Sequence, residues 1–494
     1  MKCIHNSFTE RRIMDRHCVY KYEEVQSRIK KIISANGLKP GDKVPSIRKM
    51  SSDTGLSVST IMKAYVELEH QGILESRPQS GFYVSADNSI PVAGISSERK
   101  ITAARVDKFS MIYNVCNAMA DRSLIQFGGA SPCISMLPSA ELAKTMKHIL
   151  NHNPDYNSFE DFRGNAQLRG CISMHMLSAG VEVSPNDIII TTGTTESLSH
   201  ILRVLAGPGD YIAVESPLHF GHLHALESMG MYVIEVPSRP DHGMDPDRLK
   251  DALEKYSVKA LLIQPNYSNP LGGTLPDEDK KRIVEICAEK NVPIVEDDVY
   301  GELCHEGHRP KCLSSFDKNG NVIYVSSFTK TISPSFRVGW ICPGKYFKQV
   351  MDKKISTVLD TSRLPQLALC DYLASGKYSR YLNRIRRVYR NQVAAYRSYI
   401  IDFFPKGTRV SNPKGGFILW VELPEGTDSF LLYESAVKEG IGTVPGFLFT
   451  AQDRYRNFIR LNCGSPLDKK HTEALKKLGA MAAEAVISQN NRSV

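Results

Sequence analysis

The stretch Ser326-Ser-Phe-Thr-Lys330-Thr-Ile-Ser-Pro334 follows the apolar run Val322–Val325, which predicts a buried strand. It places Lys330 in a turn of small residues just beyond the strand end. A lysine desolvated there is partly neutral, and its amine can condense with an aldehyde to form a Schiff base. The alternative is a surface lysine in an ordinary turn, and the segments upstream decide between the two.

Two earlier strand ends carry further groups that chemistry on pyridoxal phosphate (PLP) needs. PLP requires an acid that keeps the ring nitrogen protonated, together with donors for its phenolate oxygen. Asp297 follows the apolar run 292–295 and can face the pyridinium. Tyr300 lies one turn beyond it, and Asn269 follows the predicted strand 260–263; both can reach the phenolate oxygen.

The phosphate needs its own donors, and a third strand end supplies them. Residues 188–190 predict a strand that enters a helix through Gly193, where backbone N–H groups suit a phosphate. Ser327 and Arg337 flank the lysine, and Arg337 can bind a phosphate bidentately. Each piece also has an ordinary interpretation as a solvated strand end, a turn or a helix start. Four such segments occur in this order, each at the end of an apolar run, and together they favour a PLP site.

These residues resemble the fold-type I aminotransferases, from about Phe127 to the C-terminus. The resemblance implies that Lys330 bonds the cofactor, that Asp297 pairs with the ring nitrogen, and that a C-terminal arginine binds the α-carboxylate of an amino acid. Arg460, in the run Phe458–Asn462, matches that arginine; the alternative is a surface strand arginine. The resemblance assigns the phenolate oxygen to Asn269 and Tyr300, and the phosphate to Thr194, Thr195, Ser327 and Arg337.

Two positions depart from that family. Where the family stacks a tyrosine on the cofactor ring, this chain has His219, with Phe220 beside it. A protonated imidazole would be repelled by the pyridinium, and we expect it to titrate near the unperturbed pKa of about 6.5. A tyrosine donated by the neighbouring subunit is expected where Phe159 stands, and Tyr156 replaces it only if the loop shifts. Both departures predict slow or absent transamination.

Residues 18–87 show a different pattern, with apolar residues at helical spacing in three short segments. Ser46 is the predicted cap of the second helix and Ser57 that of the third. Two short strands follow, near 73–76 and 82–84, joined by a turn that includes Gly81. Helix, turn, helix and hairpin together predict a winged helix-turn-helix.

The charge of this segment favours DNA as a partner. Residues 1–87 hold 14 Lys+Arg and 10 Asp+Glu, which is +4 of the chain's +9. A positive net charge alone indicates only solubility. The polar residues at the start of the third helix, however, lie where a recognition helix meets bases and phosphates. The segments 39–48 and 74–81 resemble the GntR family of regulators, over about residues 20–84. The candidate DNA-binding residues are Arg48, Ser57, Ser59, Thr60, Lys63, Arg77 and Gly81.

We therefore predict a multidomain chain of 494 residues. A winged helix-turn-helix spans 18–87, a linker spans 88–105, and an α/β PLP-dependent transferase fold of type I spans 106–494, with a small α+β part from about 376. Residues 1–17 predict a disordered arm. The arginine-rich helix predicted for 376–400 is interpreted as a solvated surface helix rather than a DNA contact.

Composition excludes several other classes. Hydrophobic residues make up 42% and charged residues 23%, as in ordinary globular proteins. No apolar run approaches the ~18 residues of a membrane helix, and no signal-peptide core is present. The eleven cysteines form no C-x-x-C pair, which predicts reduced thiols and a cytoplasmic location. His219, His222 and His224 lie close together, but without the pattern of a metal site.

A GntR-type head on an aminotransferase-like body resembles the MocR subfamily of regulators. The resemblance implies a homodimeric transcription factor whose PLP domain is the sensor, with operator DNA and an amino acid or amine effector as partners. Three alternatives remain: a working aminotransferase with a secondary head, a regulator that has lost PLP, and a structural DNA-binding protein. Lys330, Asp297 and Arg337 argue against the second, and Arg460 argues against the third.

Overall fold

The computed structural model describes residues 21–35, 38, 41–70, 73–77, 80–85, 92–93 and 101–490. The predicted N-terminal arm and most of the predicted linker lie outside these residues. The chain divides into two compact units, residues 1–91 and 92–494, each described here by itself. Among the described helices, none is long and apolar enough to cross a membrane.

The first unit contains α1 (Lys21–Ala35), α2 (Ile47–Thr54), α3 (Val58–His70), β1 (Leu74–Arg77) and β2 (Gly81–Val84). The two strands pair antiparallel, with Leu74 opposite Val84. Ser46 caps α2 by accepting the Lys49 N–H at 3.2 Å, and Gly55 ends it with φ 69°. The helices and the hairpin close over one apolar core of Val25, Ile29, Val44, Met50, Ile61, Ala64, Tyr65, Leu68, Leu74 and Val84. The unit is a winged helix-turn-helix, as predicted.

The second unit alternates strands and helices. Its strands are β3 (Ala103–Arg105), β4 (Ile125–Gln126), β5 (Ile189–Thr191), β6 (Tyr211–Ser216), β7 (Tyr232–Arg239), β8 (Gly243–Met244), β9 (Val258–Ile263), β10 (Ile294–Asp297), β11 (Val322–Ser327), β12 (Gly339–Cys342), β13 (Arg409–Val410), β14 (Ile418–Glu422), β15 (Ile441–Gly442), β16 (Val444–Pro445) and β17 (Phe458–Asn462). Its helices are α4 (Phe109–Ala120), α5 (Ser139–His152), α6 (Ala166–Met176), α7 (Thr194–Leu205), α8 (Phe220–Ser228), α9 (Pro246–Lys255), α10 (Asp277–Glu289), α11 (Phe347–Thr357), α12 (Arg363–Ala374), α13 (Lys377–Phe403), α14 (Ser429–Lys438) and α15 (Lys469–Asn490).

The large sheet of this unit has the order β3-β7-β6-β9-β10-β11-β12-β5, with β8 beside β7. Its five central strands, β7, β6, β9, β10 and β11, run parallel. Strand β12 runs opposite to both β11 and β5, so β5 points the same way as β11. The carboxyl ends of β5, β9, β10 and β11 therefore meet at one edge, where ligands bind in open α/β sheets.

The C-terminal part forms a four-stranded antiparallel sheet of order β13-β14-β17-β16. Arg460 lies on β17, opposite Trp420 of β14 and Val444 of β16. The long helix α13 begins after Gly376, which has φ 67°. Its arginines Arg380, Arg384 and Arg387 are exposed, as expected for a solvated helix, whereas Arg397 is buried.

Candidate functional site

A cavity of ≈ 250 Å³ opens at the carboxyl edge of the large sheet. The topology brings together at this edge residues from six separate segments of the sequence. Nine of the predicted cofactor-binding residues line it: Thr194, Thr195, His219, Asn269, Asp297, Tyr300, Ser327, Lys330 and Arg337. Gly193 and Arg460 lie immediately behind this lining, in contact with Arg337 and Asn269 respectively.

Lys330 extends into the cavity from the turn after β11. Its ammonium donates a hydrogen bond to the Ala130 carbonyl at 2.6 Å and lies 5.8 Å from the centre of the Tyr300 ring. Burial lowers the pKa of Lys330 to about 8, and the charges of Arg460 and Arg337 act in the same direction. The neutral, nucleophilic fraction of this amine near neutral pH is therefore far larger than that of an exposed lysine.

Asp297 ends β10 with its carboxylate held from both sides. Its Oδ2 accepts a hydrogen bond from Gln264 Nε2 at 2.9 Å and lies 3.1 Å from His222 Nε2, while its Oδ1 accepts the Val299 N–H at 3.2 Å. These contacts fix the carboxylate at the cavity wall. The sequence assigned no role to Gln264 and considered His222 only as a metal ligand. Gln264 directly follows the apolar run 260–263, which was the available signal, whereas His222 lies within α8 and had none.

Asn269 connects the cavity to Arg460. Its Nδ2 donates to the Tyr300 hydroxyl at 3.4 Å, and its Oδ1 accepts from Arg460 Nη1 at 3.3 Å. Arg460 is fully buried and also donates to the Gly128 carbonyl, but its Nε has no acceptor among the described residues. Burial lowers the pKa of Arg460 to about 10 and raises that of Tyr300.

The end of the cavity away from Asn269 and Arg460 is lined by hydrogen-bond donors. Gly193, with φ 84°, precedes α7, and a Cβ there would lie 2.6 Å from Arg337 Nη2. Glycine therefore lets the guanidinium lie against the helix start, where the first N–H groups have no intrahelical acceptor. Arg337 donates to the Thr192 carbonyl at 3.1 Å and to the Thr329 hydroxyl at 3.4 Å. With Ser327 this donor set fits a phosphate, and Thr329 is a lining residue that the sequence left without a role.

His219 lies at the start of α8, with its ring 4.7 Å from Phe220 and 5.3 Å from His222, centre to centre. A Cβ on Gly221 would lie 2.9 Å from His219 Cε1, so the glycine permits this ring position. Burial lowers the pKa of His219 well below its usual value, and the neighbouring His222, Arg460 and Lys330 lower it further. The expected titration near 6.5 is therefore wrong, because a protonated ring would be a buried cation among other cations.

We expect PLP retention by the wild-type protein to depend on pH no more than that of His219→Tyr between about pH 5.5 and 7.5, because burial holds the pKa of His219 well below its usual value. The measurement is the cofactor absorbance that remains with the protein after gel filtration at each pH. The exposed His242, which lies 3.1 Å from Asp241 and does not line the cavity, is replaced by tyrosine as the control. A retention midpoint near pH 6.5 that His219→Tyr removes would contradict a neutral ring.

The second departure from the family lies away from the cavity of this chain. Phe159 is 77% exposed, and Tyr156 packs against the cluster of Ile149, Leu367 and Ala368. Neither residue lines the cavity. That Phe159, standing where the family donates a tyrosine from the neighbouring subunit, makes transamination slow or absent stays a prediction.

The predicted DNA-binding residues lie on α2, α3 and the hairpin of the first unit. The Ser57 hydroxyl caps α3 by accepting the Thr60 N–H at 3.2 Å and lies 2.9 Å from the Ser59 hydroxyl. Lys63 lies over the Tyr22 ring at 4.4 Å, and Arg77 lies over the Tyr83 ring at 4.2 Å. Arg77 also pairs with Glu75, and Gly81 has φ 110° in the turn. Arg48, Ser59, Lys63, Arg77 and Gly81 are exposed.

Comparison with known proteins gives two family matches. Residues 132–478 match aminotransferase class I and II, and residues 21–84 match the gntR family of bacterial regulatory proteins. The uncharacterized HTH-type transcriptional regulator YjiR of Escherichia coli is 32% identical over 467 residues, which cover 94% of this chain and 99% of the relative.

Two solved structures are similar to the second unit. Pyrococcus horikoshii kynurenine aminotransferase, in complex with pyridoxamine phosphate (PMP) and kynurenine, has a TM-score of 0.71 at 28% identity, covering 78% of this chain and 95% of its own. LysN, the α-aminoadipate aminotransferase of Thermus thermophilus, complexed with N-(5′-phosphopyridoxyl)-L-leucine, has a TM-score of 0.69 at 28% identity, covering 77% and 99%.

Proposed function

The chain belongs to the aminotransferase class I and II family and carries a gntR-family head, and from this premise we propose that it is a transcriptional regulator that senses an α-amino acid through its PLP site. The fold and the PLP cofactor are as the sequence predicted. The observation that supports sensing is the fully buried Arg460 beside a cofactor cavity, in the same chain as a DNA-binding head. Its Nε has no acceptor among the residues that the structure describes.

The residues of the cavity fit PLP by chemistry. In this proposal Lys330 attaches the cofactor, Asp297 faces the ring nitrogen, and His219 stacks on the ring. Tyr300 and Asn269 would hold the phenolate oxygen. The phosphate would bind the start of α7 at Gly193, Thr194 and Thr195, together with Ser327, Thr329 and Arg337. PLP, when bound, supplies an electron sink for bonds at the α-carbon of an amino acid.

An α-amino acid matches the remaining groups. Lys330, Arg337 and Arg460 give the site a positive balance against Asp297, which favours anionic ligands. The guanidinium fork of Arg460 has N–H groups left over after its bonds to Asn269 and Gly128, and such a fork binds a carboxylate bidentately. The amine of the same ligand would then lie on the Lys330 side.

The proposed assembly is a homodimer in the cytoplasm, where operator DNA is found. The second unit exposes several large apolar side chains, and a partner copy would bury those that lie in one contiguous patch. The most exposed are Ile134 (77%), Phe159 (77%) and Met174 (68%).

A second candidate function is that of a working aminotransferase with a secondary head. It is favoured by the low pKa of His219, because a neutral ring can stack on a protonated pyridinium without repulsion. This removes one of the two reasons to expect slow turnover. Phe159 remains the other.

The DNA-binding half of the proposal predicts a defined loss on replacing one lysine. Lys63→Ala is expected to weaken binding to every DNA sequence and to reduce the slope of log K against log salt by about one, because one phosphate contact is lost. Fluorescence anisotropy on labelled duplexes at several salt concentrations measures both. Lys290→Ala, an exposed lysine of the second unit that faces Glu254 at 3.7 Å, is the control. Unchanged affinity and slope would remove Lys63 from the interface.

The sensing half is tested by reciprocity. An operator is first selected from random duplexes with the purified protein, and amino acids are then titrated with and without it. If an amino acid changes operator affinity by some factor, operator must change amino-acid affinity by the same factor, typically about 5- to 150-fold. Rapid formation of keto acids without any effect on DNA affinity would instead support the aminotransferase.

A further inference from the structure

Asn462 donates hydrogen bonds to alternate backbone carbonyls of the loop after β4. The Asn462 backbone N–H donates to the Phe127 carbonyl at 2.8 Å. Its side-chain Nδ2 donates to the Gly129 carbonyl and, at 2.9 Å, to the Ser131 carbonyl. We call residues 127–131 the bridging segment. Asn462 and Phe127 are buried, and the bonds to the Gly129 and Ser131 carbonyls are partly buried. Loss of the Asn462 amide would therefore leave partly desolvated carbonyls without a donor, which is costly.

The two carbonyls between these accept hydrogen bonds from two of the three cations of the site. Arg460 donates to the Gly128 carbonyl, and Lys330 donates to the Ala130 carbonyl at 2.6 Å. The five consecutive carbonyls thus alternate between Asn462 and the groups proposed to bind ligand. The bridging segment therefore places the site cations relative to β17, the strand that carries Arg460 and Asn462.

A glycine fixes which way the Asn462 amide points. The Gly464 N–H donates to Asn462 Oδ1 at 2.7 Å, so the oxygen end is occupied and the NH₂ end must face the bridging segment. A Cβ on Gly464 would lie 2.9 Å from Asn462 Oδ1 and 3.0 Å from the Ser131 carbonyl oxygen. A larger residue there would displace the amide from the segment.

Arg460 depends on this arrangement for its orientation. Only two acceptors restrain its guanidinium among the described residues, Asn269 Oδ1 and the Gly128 carbonyl. The buried Nε has no acceptor in the part of the chain that the structure describes and stays available to a ligand. If Gly128 moved, the fork would lose one of its two restraints, and a carboxylate would have to order it on binding.

We propose that Asn462 is a positioning residue for carboxylate recognition: by fixing the bridging segment, it orients Arg460 for an α-carboxylate. The inference rests on the proposed function, because it assumes a cofactor-linked amino acid in this cavity. In this proposal Asn462 contacts neither the cofactor nor the ligand. Its loss should affect carboxylate binding and leave binding of the cofactor ring and phosphate intact.

The test compares two probes on the full-length protein. PMP carries the ring and the phosphate, and N-(5′-phosphopyridoxyl)glycine adds only a carboxymethyl group. Dissociation constants are measured by calorimetry for the wild type, Asn462→Ala and Gly464→Ala. Asn457→Ala is the matched control, because Asn457 lies just before β17 and also bonds a carbonyl, that of Leu423, at 2.8 Å.

We expect the wild type to bind the glycine adduct at least about 10-fold more tightly than PMP, since the carboxylate adds a charge-assisted bidentate contact. In Asn462→Ala this preference should fall by about 10-fold while the PMP affinity stays within about threefold. Gly464→Ala should show a smaller loss in the same direction, and it carries the test if Asn462→Ala does not fold. Asn457→Ala should keep the wild-type preference.

An unchanged preference in both variants, or equal loss of affinity for both probes, would overturn the positioning role. A wild type that binds both probes equally would refute the carboxylate role of Arg460 and this inference with it. A wild type that binds neither probe would refute the proposed function itself.

Discussion

Borohydride reduction of the PLP-loaded protein is expected to leave the pyridoxyl group on Lys330 and on no other lysine. Two other lysines make this a selective test, because burial lowers the pKa of the buried Lys354 and of the partly buried Lys108 to about 8 as well. The Lys354 ammonium donates to the Phe162 carbonyl at 2.5 Å, and neither lysine lines the cavity. A neutral amine alone is therefore insufficient, and the surrounding donors select Lys330.

Lys330→Ala should release the cofactor at least about 100-fold faster than the wild type, because only non-covalent contacts remain. Lys354→Met should retain it. The rate of cofactor capture by the wild type should rise with pH through about 8, since Lys330 must lose its proton to react. Peptide mapping after reduction and absorbance after gel filtration measure these effects. Label on another lysine, or retention of PLP by Lys330→Ala, would refute the assignment.

The lowered pKa of Lys330 also makes the folding stability depend on pH, and the direction of the shift determines whether stability rises or falls. The pKa of Lys330 is lower in the folded protein than the value of about 10.4 expected in the unfolded chain, so the unfolded chain binds more protons between these values. The contribution of Lys330 to folding stability therefore increases as pH rises from about 8 to about 10. The rate of cofactor capture and the contribution of Lys330 to folding stability therefore both increase with pH.

The residues that line the cavity were predictable because they terminate apolar runs. In Glu296-Asp297-Asp298 alternation along the strand sends neighbouring side chains to opposite faces. Asp297 lines the cavity, whereas Asp298 accepts from the Tyr324 hydroxyl at 3.0 Å and pairs with Arg309 on the other face. The sequence named Asp297 from its place at the end of an apolar run, and the alternation explains why Asp297 rather than Asp298 faces the cavity.

What the sequence could not show depends on packing between distant segments. The titration of His219 is governed by burial and by cations that come from other strands, so its unperturbed pKa was a poor guide. Gln264 and His222 acquire their roles only because β9 and α8 reach the same carboxylate. Asn462 belongs to the run Phe458–Asn462 that contains Arg460, yet the residues it contacts lie some 330 positions away along the chain. A pattern local in sequence carries no information on such pairs.

Replacing Arg460 with alanine is expected to abolish the response to α-amino acids while PLP stays bound. Arg460 is fully buried, so its loss removes the cation proposed to receive the carboxylate and leaves the donors of the phosphate end in place. A bidentate charge-assisted pair contributes about 2–3 kcal/mol, which corresponds to a loss of about 30- to 150-fold in affinity for the glycine adduct over PMP. Arg460→Lys keeps the charge without the planar fork and should recover only part of this loss.

The matched control is Arg454→Ala, because Arg454 is also buried in the C-terminal part but lies 3.9 Å from Glu235 and does not line the cavity. It should keep both the adduct preference and the reciprocal coupling to operator. If Arg460→Ala still responds to amino acids, the effector carboxylate binds elsewhere. If Arg460→Ala loses PLP as well, Arg460 supports the cofactor through Asn269 rather than the ligand. Loss of coupling with PLP retained is the one result that joins carboxylate recognition to control of DNA binding.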